Sequence, residues 1–172
     1  MKTHELLHIL KFIFWALFIG LLIKAGALLF NFGWSSIHPE GAKNLYLGLD
    51  LSELRAANLN AFIGIGSLLI TVVSIQAYIA YLVIKMATTG NINHPFTESN
   101  AILISKISHA ALACGVISII ADQYCHRFIK KGFDIDLTWG GQEFLFLAAI
   151  IFIIAKVFQK GIELQKENDL TV

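Results

Sequence analysis

The sequence predicts an all-α protein: a four-helix transmembrane bundle with its N- and C-termini on the cytoplasmic side. Three observations carry that reading. Of the 172 residues, 56% are hydrophobic and only 15% charged, where a soluble domain carries about 25% charged residues. The apolar residues gather into four long runs, each near the roughly 20 helical residues that a bilayer core about 30 Å thick requires. The runs lack the alternation of a transmembrane strand, and lipid offers no partner to unpaired backbone groups, so helices are the default. The same composition excludes other classes. Two cysteines make no disulfide scaffold. A net charge of +1 gives no electrostatic case for direct nucleic-acid binding. The chain reads as a single four-span membrane domain over residues 1–172.

The first span covers about Phe12–Phe32. Its Ala25-Gly26-Ala27 triplet fits a signal-cleavage pattern, but apolar sequence continues to Phe32, so an uncleaved first helix is expected. The second span covers about Leu59–Ile84, where Gly64 and Gly66, with Ala61 and Ser67 nearby, suit close helix contact within the bundle or between two copies. The third covers about Ile107–Ile129, with an uninterrupted apolar run only over Ala110–Ala121. The fourth covers about Trp139–Phe158, with its apolar heart at Phe144–Ala155. Cys114 and Cys125 lie about 16 Å apart along one predicted helix, beyond disulfide reach, and read as buried free thiols.

Four spans place both termini on one side, and lysine and arginine decide which. The side with the termini holds Lys2, Lys11, Lys85, Lys106, Lys156, Lys160 and Lys166, seven bases against five on the other side. The excess selects the cytoplasm for both termini. Trp34 and Trp139 then fall at the outer boundary and Tyr81 near the inner one, as an aromatic belt.

The connections carry local signals. In the loop at about Ser35–Asn58, Asp50 with Glu53 three residues later resembles a capping box for a short helix, and the loop reads as an interfacial lead-in to the second span. The inner connection reads Asn93-His94-Pro95-Phe96-Thr97-Glu98-Ser99-Asn100. Gly90 and Pro95 stop one helix. Thr97 is the predicted N-cap of the next, Phe96 a hydrophobic staple onto Ala101, and Glu98 suits the positive helix start. In the tail, Lys156, Lys160, Glu163 and Glu167 share one helical face, while Val157, Gly161 and Leu164 share another. The fourth helix is therefore expected to leave the membrane as an amphipathic extension, either a solvated helix end or a docking surface.

Two of these segments carry a family resemblance. N-H-P-F-T-E-S-N followed by an aliphatic, lysine-containing helix resembles an N-P-F-T-x-x-N signature, and V-F-Q-K-G-I-E-L-Q-K-E-N-D-L-T-V resembles the closing segment of the same family. The family comprises small bacterial four-helix membrane proteins carrying a domain of unknown function, and the resemblance extends over essentially the whole chain. It implies a gene that often stands beside one for a small helix-turn-helix regulator, and so a membrane partner of transcriptional control. It implies no catalytic residues. An acid is expected where Lys156 stands, just before Val157-Phe158, and its role in the family is in doubt here.

Charges inside the spans are the best chemical lead. At about 1.5 Å rise per residue, Lys24, Asp122 and Glu143 from three helices share the outer half of the bilayer. A Lys24–Asp122 pair with Glu143 at its rim is expected, either as a structural bridge or as a site for an ion or small polar ligand. Histidines 4, 8, 94 and 109 map to the inner side, but two-residue clusters are weak metal or haem signals. No metal or cofactor is expected, and no nucleophile motif points to an enzyme. The expected function is a non-enzymatic membrane module. Its cytoplasmic partner surface comprises Asn93, Pro95, Phe96, Thr97 and Asn100 of the turn with Gly161, Leu164, Glu167 and Asp169 of the tail. Its partners are the lipid bilayer, a helix-turn-helix regulator and another copy of the chain. A small transporter or channel subunit using Lys24, Asp122 and Glu143 is the alternative.

Overall fold

Each apolar run becomes a helix longer than the bilayer needs. The computed structural model describes residues 3–89 and 96–169. It places α1 at Thr3–Ile37, a 3-10 turn at Pro39–Lys43, α2 at Ser52–Ala57, α3 at Leu59–Thr89, α4 at Glu98–Ile129 and α5 at Gly141–Asp169. The long helices α1, α3, α4 and α5 are each apolar enough to cross a membrane. They pack in chain order: α1 on α3, α3 on α4, and α4 on α5. The outer members of this row are the least covered. In the most apolar window of α1 only 6% of residues are buried, against 44% in α4.

Small residues set the seams. A Cβ on Gly66 would collide with the Phe32 ring of α1, and one on Gly64 would stand 3.1 Å from the Tyr124 hydroxyl of α4. Both glycines therefore serve contacts within the bundle. Between α4 and α5, Gly115 lies under Leu145, Gly141 lies against Ile119, and the buried Ser108 hydroxyl donates to the Ala148 carbonyl at 3.1 Å. Close backbone approach at small residues is how helices associate where lipid removes the hydrophobic drive between them.

The two ends of the row differ. One end, here the cap end, holds the 38–58 and 130–140 connections. The other, the terminal end, holds the start of α1, the start of α4 and the close of α5. The main core lies at the cap end. It joins Leu28 and Phe32 of α1, Phe62 and Ile65 of α3, Cys125 and Phe128 of α4, and loop residues from both connections.

The 38–58 segment is a folded cap with its own buried residues, more than a lead-in. Leu45, Leu51 and Leu54 are at most 2% exposed. Arg55 donates through Nε to the Ser35 carbonyl and through Nη2 to the Ser36 carbonyl at 3.0 Å. It thereby satisfies carbonyls that the end of α1 leaves open. Asn31 Nδ2 donates to the Leu45 carbonyl at 2.6 Å. Asn58 Oδ1 accepts from the Ala61 amide at 3.0 Å and caps α3. The short helix expected after Asp50 is present, but Leu51 stands at its N-cap position without a side-chain cap. Asp50 accepts from the Ser52 amide at 2.8 Å. Hydrogen bonds from Ser52, helped by Lys43, hold the Asp50 carboxyl below its ordinary range.

At the far end of α4, Gly132 adopts φ 94°. The Phe133 amide reaches the Phe128 carbonyl and the Gly132 amide the Ile129 carbonyl. This pattern is a Schellman turn, which requires the left-handed conformation glycine adopts freely. The chain then folds Ile135 and Trp139 into the core. Trp139 is 5% exposed and precedes α5, so it packs inside instead of joining an aromatic belt. Trp34 is 53% exposed.

Candidate functional site

The turn and the tail meet at the terminal end. Thr97 is the N-cap of α4, its side chain accepting from the Asn100 amide at 3.3 Å. This cap depends on neighbours in sequence. The rest of the site does not. The Phe96 ring packs on Phe158 of α5, with centroids 5.2 Å apart. It also fills the space above Gly161, where a Cβ would stand 2.8 Å from the ring. One turn further along α5, Lys166 Nζ donates to Glu98 Oε1 at 2.6 Å. A cavity of about 240 Å³ lies between them, lined by Phe96, Glu98, Ile162, Gln165 and Lys166. An aromatic contact and an exposed ion pair thus join the start of α4 to the close of α5.

Several predicted residues fall differently from the sequence reading. Phe96 reaches across to α5 as an interhelical contact. Val157 and Leu164 are 60% and 51% exposed, while Phe158, Gly161 and Ile162 are the half-buried residues facing α4. The covered face of the tail is therefore turned by about one residue from the Val157–Gly161–Leu164 stripe. Asn100 is 8% exposed and belongs to the packing. Glu167 is exposed. Asn93 and Pro95 lie outside the described residues, and so does the side chain of Asp169.

The charges in the spans do not converge. Lys24 extends over the Tyr46 ring, 5.7 Å from its centroid, and has no ion pair among the described residues. Asp122 lies on α4, which is not a packing neighbour of α1, and its carboxylate is 3.7 Å from His126 Nδ1. Glu143 is exposed in the first turn of α5. The expected Lys24–Asp122 pair is thus not formed, because the row of helices sets α3 between the two. Each of the three charges closes a mainly apolar stretch of its own helix. Lys11 to Lys24 is thirteen residues and Glu143 to Lys156 thirteen, about 20 Å each, while Lys106 to Asp122 is sixteen, about 24 Å.

Lys24 does have charged neighbours that the sequence reading missed. It lines a cavity of about 480 Å³ at the cap end with Tyr46, Asp50, Asp134 and Asp136, over a floor that includes Leu28 and Leu69. No sequence signal joins these residues, since they come from three separated segments. Cys114 and Cys125 are free and buried. His109, one of the histidines considered for haem, turns Nδ1 to its own helix, 2.6 Å from the Ser105 carbonyl. Among the described residues no three His, Cys, Asp or Glu side chains converge on a metal-sized site.

Four membrane-length apolar helices packed in chain order define a helical protein of the multi-pass membrane type. Within that class the chain belongs to the family described as protein of unknown function DUF2975, whose model matches residues 50–172. The match takes in α3, α4 and α5 with both motif segments, a shorter reach than the whole-chain resemblance suggests. No curated protein and no solved structure matches the chain.

Proposed function

We propose that the protein is a non-enzymatic membrane module that docks a cytoplasmic regulator. It sits in a bacterial inner membrane with both termini in the cytoplasm. The docking surface is formed by the turn before α4 and the close of α5, and the partner is a helix-turn-helix transcription regulator. One observation carries the reading: Phe96 on Phe158 and Gly161, with Lys166 on Glu98, joins the two motif segments into one continuous surface. Leu164, 51% exposed beside that surface, offers the apolar contact that a partner helix takes up. The excess of lysines at the same end supports its cytoplasmic placement.

The test is co-purification of the full-length protein with the proposed helix-turn-helix regulator. Wild type should retain the regulator, and a variant truncated after Lys160 should lose it. Equal retention, or none by either, overturns the reading. A transporter role for Lys24, Asp122 and Glu143 has less behind it, because the three charges stand on separate surfaces. Liposome flux abolished by Asp122→Asn would restore it.

A further inference from the structure

We propose that the cap end of α1 holds one phospholipid with an ethanolamine headgroup. Two adjoining features define the site. The first is a groove of about 470 Å³ on α1, lined by Phe12, Ala16, Gly20 and neighbouring aliphatics, which ends at Lys24 and Tyr46. The second is the cap-end cavity, which shares Lys24 and Tyr46 and adds Asp50, Asp134 and Asp136. Together they make an apolar channel leading into a charged cup.

The groove suits an acyl chain. From Phe12 to Lys24 it extends about 18 Å along the helix. Its floor is open: nothing stands within 4 Å of the point where a Cβ on Gly20 would sit. It also lies on α1, the long helix with the least protein cover, and within the apolar stretch that Lys11 and Lys24 bracket.

The cup selects the headgroup by charge. It presents one ammonium and three carboxylates. A headgroup carrying only negative charge meets a net repulsion there. A headgroup with a phosphate followed by a primary ammonium matches both signs, the phosphate at Lys24 and the ammonium among the aspartates. The Tyr46 hydroxyl adds a donor beside the phosphate position. A primary ammonium offers three N–H donors to carboxylates and forms charge-assisted hydrogen bonds, whereas a choline group has none to offer. Asp50, held ionised by Ser52, keeps its charge throughout the neutral range. The site lies at the opposite end of the helices from the regulator-docking surface and stands without it.

Native mass spectrometry of the full-length protein in detergent reads the site directly. Phosphatidylethanolamine, phosphatidylcholine and phosphatidylglycerol with identical acyl chains are offered separately. Wild type should retain the ethanolamine lipid about tenfold better than either other lipid. Asp134→Asn combined with Asp136→Asn changes two exposed side chains, and should bring the ethanolamine and choline lipids to near parity. Gly20→Leu fills the groove without meeting protein at its Cβ, and should reduce retention of all three. Equal retention of the three lipids by wild type, preference for the glycerol lipid, a lipid-free dimer, or an unchanged adduct in Gly20→Leu would each overturn the proposal.

Discussion

The cap end and the terminal end are built from the same four helices yet held by different forces. At the cap end two connections fold inward and bury Leu45, Leu51, Leu54 and Trp139 with the helix ends. At the terminal end the small apolar cluster of Leu82, Leu103 and Ile107 lies behind a surface where one half-exposed ring and one exposed ion pair join the start of α4 to the close of α5. A buried leucine makes dozens of van der Waals contacts, while an exposed ion pair contributes about 0–1 kcal/mol. The cap therefore fixes the arrangement of the helices. At the terminal surface the Phe96 ring and the Glu98–Lys166 pair are the more weakly held contacts.

The largest expected effect breaks the cap. Phe62 is fully buried and its ring packs 5.0 Å from that of Phe32. Phe62→Ala should destabilise the protein by about 3–5 kcal/mol, read as a lower midpoint in detergent denaturation. A loss as small as that of an exposed terminal-end variant would erase the distinction between the two ends.

The next test compares glycines on one pair of helices. Gly66→Ala drives a methyl group into Phe32, an overpacked contact that should cost about 1–3 kcal/mol. Gly26→Ala meets nothing within 4 Å, and should instead gain about 0.5–1 kcal/mol from helix propensity. Opposite signs in the two denaturation midpoints would show that the α1–α3 seam is set by Gly66. Matching signs would show that the helices pack more loosely there.

These contrasts also explain what the sequence could and could not disclose. Thr97 was legible as an N-cap because capping depends on residues within one turn. The four long helices were legible because lipid demands length and apolarity of each by itself. The Phe96–Phe158–Gly161 contact joins residues more than sixty positions apart, and no local pattern announces it. The cap leucines stand in a polar loop, and their burial depends on where α1 and α3 place their ends. Arg55 counted only as a charge, although its position at the end of α1 gives it a structural role. Depth arithmetic put Lys24, Asp122 and Glu143 in one half of the bilayer, helix by helix. Height says nothing of helix order, and the order of packing separates Lys24 from Asp122.

At the terminal end, Gly161→Leu should displace Phe96 from its seat. Phe96 is 43% exposed and free to swing outward, so the stability cost should fall at or below the low end of overpacking, about 1 kcal/mol. Regulator retention should nevertheless fall, because the turn no longer lies against the tail. A variant that loses stability heavily while keeping the regulator would reverse the roles assigned to the two ends.

The smallest effect is expected at the ion pair between α4 and α5. Glu98 and Lys166 are 71% and 63% exposed in their side chains. Lys166→Glu alone places two carboxylates together and should lower the denaturation midpoint only slightly, with the difference fading as salt screens it. Glu98→Lys combined with Lys166→Glu restores opposite charges across the same gap and should recover the stability. If the regulator reads only the joined shape of turn and tail, the exchanged pair should restore docking as well. If it reads the charges themselves, docking stays lost while stability returns. Co-purification measured beside the denaturation midpoint separates these outcomes, and so shows whether the weak contact at this end acts as a clasp or as part of the surface a partner touches.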